Sequence, residues 1–276
     1  WFNGCRDLLA IKNIQYLKTD SVKSMKSMFD YCMSLSILDV SNFNTENVTN
    51  FCKTFNQCMS LKFLDVSRFN TKNATDMSWM FRHCNMLSSI DLSSFNTDHV
   101  TTMSSMFEDC GSLTSLNLGS FNTENVETMS SMFEDCHRMS SFDLSGFITT
   151  KVECIDYMFK GCSDLSSIDI SNFDLSNCNE FDCMFEGCTK LISIDLSHFT
   201  SKRINIHAQR MFADCINLTR INLCNDMYHF STIYEMFKNC NSLNTIYVSK
   251  EWEMTSAPSI YDKTFENCIS LEGNMG

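Results

Sequence analysis

Sixteen cysteines and a recurring aspartate are the groups through which this chain of 276 residues could do chemistry. Thiols suggest metal binding or redox work, and carboxylates suggest acid catalysis or cation binding, so their spacing has to decide. There is no Cys-x-x-Cys pair, and the closest cysteines, such as Cys178 with Cys183 and Cys183 with Cys188, have no zinc-site rhythm. Most of the thiols instead fall in one column, including Cys32, Cys58, Cys84, Cys110, Cys136, Cys162 and Cys188, each three residues after a phenylalanine such as Phe81, Phe107 or Phe133. A free cysteine at such a position behaves as a small hydrophobe, which predicts a buried ladder of reduced thiols.

The aspartates form a second column: Asp39, Asp65, Asp91, Asp143, Asp169 and Asp195, with Asn117 and Asn222 as neutral members. At strand spacing of about 4.8 Å, neighbouring carboxylates repel by about 0.9 kcal/mol in bulk water and about 3.5 kcal/mol at an effective dielectric of 20. Relief is expected first from the hydroxyls two residues on, Ser41, Ser67, Ser93, Ser145, Ser171 and Ser197. Raised pKa values, bound cations or a basic partner are the alternatives. Calcium needs six to eight converging oxygens, and one carboxylate per step does not promise that, so no metal and no cofactor is expected. The histidines His83, His99, His137, His198, His207 and His229 share no column or metal-site spacing, and no serine sits in a nucleophile elbow. No catalytic residue is predicted.

Both columns belong to one repeat. MSSMFEDC occurs at 103–110 and again at 129–136, and from Phe29 to Phe185 the phenylalanine recurs every 26 residues. A period that runs from end to end points to a stacked array with one continuous core. The expectation is a single domain over 1–276 of about ten repeats, with a partial repeat at 1–27 and a terminal one at 241–276. In the unit 87–112, Leu87, Ile90, Leu92 and Phe95 read as a short half-buried strand, while Val100, Met103, Met106, Phe107 and Cys110 have the spacing of one helix face. The methionines of that segment read as gap-fillers in the core. The predicted class is α/β: a curved right-handed solenoid with a parallel β-sheet on the concave face and short helices on the convex face.

The stretch MSSMFEDCGSLTSLNLGSFNTENVETMSSMFEDC resembles the BspA-like leucine-rich repeats of bacterial surface proteins, which are also abundant in some parasitic protists. The tail IYVSKEWEMTSAPSIYDKTFENCISLEGNMG resembles the way such arrays finish. The resemblance covers essentially the whole chain. It implies a cell-surface or secreted interaction protein, of a kind credited with adhesion to host or extracellular-matrix proteins.

The remaining features bound the partners. A net charge of −12 argues against nucleic acid, which is bound by arrays of Lys and Arg. No apolar stretch reaches the roughly 18 residues of a membrane span, so no direct membrane insertion is expected. Trp1 begins inside a repeat and reads as part of a longer chain. Asn47, Asn73 and Asn217 begin glycosylation sequons that matter only in a eukaryotic secretory setting. The pattern breaks at 198–230, where Lys202, Arg203, Arg210 and Arg220 make the most basic stretch; a tolerated irregularity is favoured there over a partner-specific patch. The functional expectation is a monomeric, non-catalytic protein-binding module acting through the strand columns around Ser89, Asp91 and Ser93. The alternative is a structural spacer presenting another domain.

Overall fold

Ser105 and Asp109 decide the local geometry of the repeat. In the computed structural model, which describes residues 1–199, 203, 205–223, 230–248 and 263–271, both adopt left-handed backbone angles, with φ of 56° and 54°. The same two positions are left-handed in neighbouring repeats, at Trp79 and His83, Ser131 and Asp135, and Tyr157 and Gly161. A left-handed non-glycine residue costs about 1–2 kcal/mol and ends a right-handed helix. The predicted convex helices are therefore not formed. Each of these segments is a run of overlapping turns, and among the described residues the one helical element is a single 3-10 turn, Ile14–Tyr16.

The alternation of handedness aligns the backbone donors. The N–H groups of Met103, Ser105, Phe107 and Asp109 donate to the carbonyls of Thr128, Ser130, Met132 and Glu134 in the next repeat, at 2.7–3.2 Å. The intervening N–H groups of Met106, Glu108 and Cys110 close turns on Met103, Ser105 and Phe107. With the Ser104 N–H donating to the Thr102 hydroxyl at 3.4 Å, every backbone donor of the segment is paired, which offsets the cost of the left-handed residues. Parallel bridges continue the pattern through Ser24, Asn50, Asp76, Thr102, Thr128, Cys154, Glu180 and His207.

The segments read as strands behave differently. Among the described residues they form a hydrogen-bonded sheet towards the C-terminal end, where β1 (Ser193–Asp195), β3 (Arg220–Asn222) and β5 (Thr245–Tyr247) pair in parallel, with one isolated bridge, Ala10 to Ile37, at the other end. Two further strands, β2 (Ile206–His207) and β4 (Phe230–Thr232), extend the turn-side ladder. In the middle repeats the outer phenylalanine rings stack more loosely than the inner ones: the ring centroids of Phe95 and Phe121 lie 6.5 Å apart, against 5.6 Å for Phe81 and Phe107. The continuous parallel ladder therefore runs along the side assigned to helices, and not along the face expected to be paired throughout.

Three side-chain ladders hold the stack. Phenylalanine rings from Phe2 through Phe133 to Phe265 stack nearly parallel at 5.4–6.0 Å. Beside them the cysteines are buried and their S–H groups donate to the ring residue's carbonyl one repeat back, as Cys84 to Phe55 at 3.3 Å, Cys110 to Phe81 at 3.1 Å and Cys136 to Phe107 at 3.2 Å. That carbonyl already accepts the N–H of its own cysteine, as Phe81 does from Cys84. The column thus uses a side chain that is small and apolar yet carries one donor. The third ladder is hydroxyl: buried Thr97 accepts the N–H of Asn122 and donates to the same residue's carbonyl, both at 2.8 Å, and Thr45, Thr71 and Thr123 repeat the bond pair.

All cysteines among the described residues are free thiols. Burial pushes the Cys32 thiol up to about 11 and Cys84 up to about 12, and drives Cys58, Cys110, Cys136, Cys162 and Cys188 upward as well. Since the thiolate is the nucleophile, iodoacetamide at pH 8 is expected to label exposed Cys5 quickly and to leave the six ladder thiols from Cys58 to Cys188 intact until denaturant is added. Peptide mass spectrometry checks this; native labelling of Cys110 as fast as Cys5 would refute the buried ladder.

Candidate functional site

The alternation of the strand segments turns two columns outward. One is the aspartate column. In each copy the carboxylate accepts the N–H of the residue two positions on: Ser41 to Asp39 at 3.0 Å, Ser67 to Asp65 at 3.0 Å, Ser93 to Asp91 at 2.9 Å, Ser145 to Asp143 at 3.2 Å, Ser171 to Asp169 at 3.0 Å and Ser197 to Asp195 at 2.9 Å. The serine hydroxyl adds a second bond, as short as 2.6 Å at Asp39 and Asp65. Asn117 takes the N–H of Gly119 in the same way.

These bonds hold all six carboxyls below the ordinary value of 3.8, chiefly through the serine hydroxyl and N–H, while the repulsion from Asp65 felt by Asp39 and Asp91 is the smaller influence. Because the folded-state pKa is depressed, the contribution of each Asp–Ser pair to stability is present above 3.8 and disappears as pH falls through the lower folded-state value. The column is therefore an ionised, internally bonded stripe at neutral pH.

The second outward column lies two residues earlier. It is serine at Ser89, Ser115, Ser141, Ser167 and Ser193, but apolar in repeats two and three, where Ile37 is 70% and Phe63 is 73% exposed. Ala10 bridges to Ile37, so the apolar stretch continues to the first repeat. Sequence reasoning passed over this pair, although the contrast with five serines in the same column was readable. At the other end the column carries Arg220, in register with Ser193 and Thr245. Arg220 lines a cavity of about 400 Å³ with Ser197, Asn222, Leu223, Tyr247 and Val248. The acidic stripe stops there: Asp195 is followed by Asn222, whose amide donates to Asp195 at 3.0 Å, and then by Tyr247.

The other basic residues of the irregular stretch are engaged elsewhere. Arg210 grips Glu186 through two nitrogens at 2.8 and 3.2 Å and also meets Asp214 and Glu235. Lys238 completes the network, and its bond is the main reason that the Glu235 carboxyl falls to about 2. Arg203 pairs with Glu153 at 3.1 Å. Lys202 and His229 lie outside the described residues. His83 meets Asp109, His137 the carbonyl of Gly161, and His198 the carbonyl of Ile170, each at 2.8 Å. Among the described residues no group of His, Cys, Asp or Glu has the arrangement to hold a metal ion, and no helix is long and apolar enough to cross a membrane.

A family described as a Mycoplasma protein of unknown function, DUF285, matches residues 1–115, 75–199, 137–252 and 166–276, which together span the sequence. The chain belongs to the DUF285 family. Among solved structures, this DUF285 chain is similar to a leucine-rich repeat protein from Bacteroides ovatus, at 18% identity over 98% of this chain and 67% of that one, with a TM-score of 0.50. It is also similar to a leucine rich cell surface protein from Faecalibacterium prausnitzii (19% identity, 96% and 78% coverage, TM-score 0.44) and to a leucine-rich repeat protein from Eubacterium ventriosum (17%, 99% and 80%, TM-score 0.43). The Bacteroides likeness places the chain in the leucine-rich-repeat fold, and the BspA-like resemblance read from the sequence is borne out. No curated protein matches the sequence.

Proposed function

We propose that this DUF285 array is a non-catalytic protein-binding module, at the cell surface or secreted, that engages its partner through the exposed strand face. The observation that carries the reading is the pair Ile37 and Phe63, at 70% and 73% exposure in a column that is serine from Ser89 to Ser193 and runs beside the ionised aspartates. Apolar side chains held that far out by a rigid stack gain by burial against a partner, at about 25 cal/mol per Å². The carboxylates beside them are already oriented by their serines, so little ordering accompanies docking. Fixed negative charge next to an apolar centre suits a protein surface with apolar and basic groups, and disfavours nucleic acid.

The test is capture from host-cell and matrix extracts by the wild type, by the double variant Ile37→Asp/Phe63→Asp, and by Lys72→Ala, which alters an exposed residue of the connection between the strand and turn segments. Proteins captured by the wild type and by Lys72→Ala should fall at least tenfold with the double variant. Equal recovery by all three would favour the spacer reading.

A further inference from the structure

The cavity at the C-terminal end of the strand face has a composition that the rest of that face lacks. Its lining brings one guanidinium, Arg220, together with the apolar edge of Leu223, Tyr247 and Val248 and the polar groups of Ser197 and Asn222. The nearby carboxylate, Asp195, is already occupied: one oxygen takes the N–H of Ser197 and the other the amide of Asn222. Other arginines with defined partners, Arg82, Arg203 and Arg210, each face a carboxylate of their own array. Arg220 is exposed and makes no ion pair among the described residues. In a chain of net charge −12, a guanidinium set beside an apolar wall and neutral polar groups, with no carboxylate of its own among the described residues, favours an anion from outside.

The surroundings also select the kind of anion. Asp195 and Asp169 stand one and two rungs away and repel a dianion or polyanion more than a monoanion. A guanidinium presents a planar fork matched to a carboxylate, and the wall of Tyr247 and Val248, which are 54% and 41% exposed, suits an aliphatic stem. We infer that this cavity receives the carboxylate side chain of a glutamate or aspartate carried by an extended segment of the protein partner. The inference rests on the strand face being the binding face and adds the anchor that sets register along it.

Acetylated, amidated nonapeptides carrying one Glu between apolar residues, with Gln and phosphoserine twins at that position, would be titrated by fluorescence anisotropy against the wild type, Arg220→Gln, Arg220→Lys and Lys72→Ala. Thermal melts would verify that each variant folds. Glu peptides should bind at least tenfold more tightly than their Gln twins and more tightly than the phosphoserine twins. Arg220→Gln should erase the preference, Arg220→Lys should keep part of it, and Lys72→Ala should keep all of it. Equal binding of Glu and Gln peptides, a preference that survives Arg220→Gln, or stronger binding of phosphoserine would overturn the assignment. A captured partner that Ile37→Asp/Phe63→Asp abolishes, with no Glu preference, would leave the strand-face reading standing and remove the carboxylate site alone.

Discussion

Phe107→Ala is expected to lower the unfolding free energy by about 3–5 kcal/mol, the range for truncating a buried aromatic ring. Phe107 is fully buried and stacks on Phe81 at 5.6 Å and on Phe133 at 6.0 Å, so one substitution removes two ring contacts and leaves a gap the size of the ring. Collapse around it is restricted, because the N–H of Phe107 is tied to Met132 and its carbonyl receives both Cys110 N–H and Cys136 S–H. In a stacked array each repeat is stabilised chiefly by its neighbours, so a broken central rung should also uncouple the two halves. Urea unfolding followed by circular dichroism and by tryptophan fluorescence should then give transitions that no longer coincide. Phe265, which is 37% exposed and stacks on Phe237, supplies the control, with a markedly smaller loss expected for Phe265→Ala. Equal losses at the two positions would contradict the stack as the main source of stability.

The second large effect is expected from a change that alters almost no volume. Thr97 is 1% exposed, and its hydroxyl binds both the N–H and the carbonyl of Asn122. Thr97→Val keeps the shape and leaves two partly buried backbone groups without that partner, which at about 1–3 kcal/mol per group gives a loss of about 2–6 kcal/mol. Thr97→Ser retains the hydroxyl and should cost less than half as much. The comparison is read from denaturation midpoints at constant slope. A valine variant as stable as the serine variant would show that water satisfies Asn122 equally well.

The periodic skeleton of this molecule was readable in its spacing. The 26-residue step, the parallel stacking and the columns containing Phe107, Cys110 and Asp91 follow from which residue types recur, because identical neighbours meet identical environments. The turn segment was misread for a physical reason. Val100, Met103, Phe107 and Cys110 fall on one side of a helix, but also on one side of a series of turns with alternating handedness, and apolar spacing does not separate the two. The separating signal was in the column just before the cysteine, where Asp109, Asp135, Gly161, Gly187, Asp214 and Asn239 are residue types that tolerate left-handed angles. The threonine ladder was visible as a column and passed over, since a hydroxyl in an Asn-Thr pair reads first as turn chemistry. Of the candidate site, the aspartates and their serines were legible because their bonding is local. The exposed pair Ile37 and Phe63 was readable from its column and missed, whereas the cavity at Arg220 was not readable, because it depends on the register that brings Arg220, Asn222 and Tyr247 together.

The donors of Met103, Ser105, Phe107 and Asp109 all aim at the following repeat, and their counterparts in other copies aim the same way. The turn segment of such a chain has a direction: its amides point one way along the stack and the carbonyls they meet point the other. Duplicating or deleting a whole 26-residue unit leaves every column in phase, whereas losing a single letter inside the turn segment throws four amides out of alignment at once. Such a gene can change its length in whole steps without inventing a new interior, and the reach of the protein becomes a quantity that copying errors adjust.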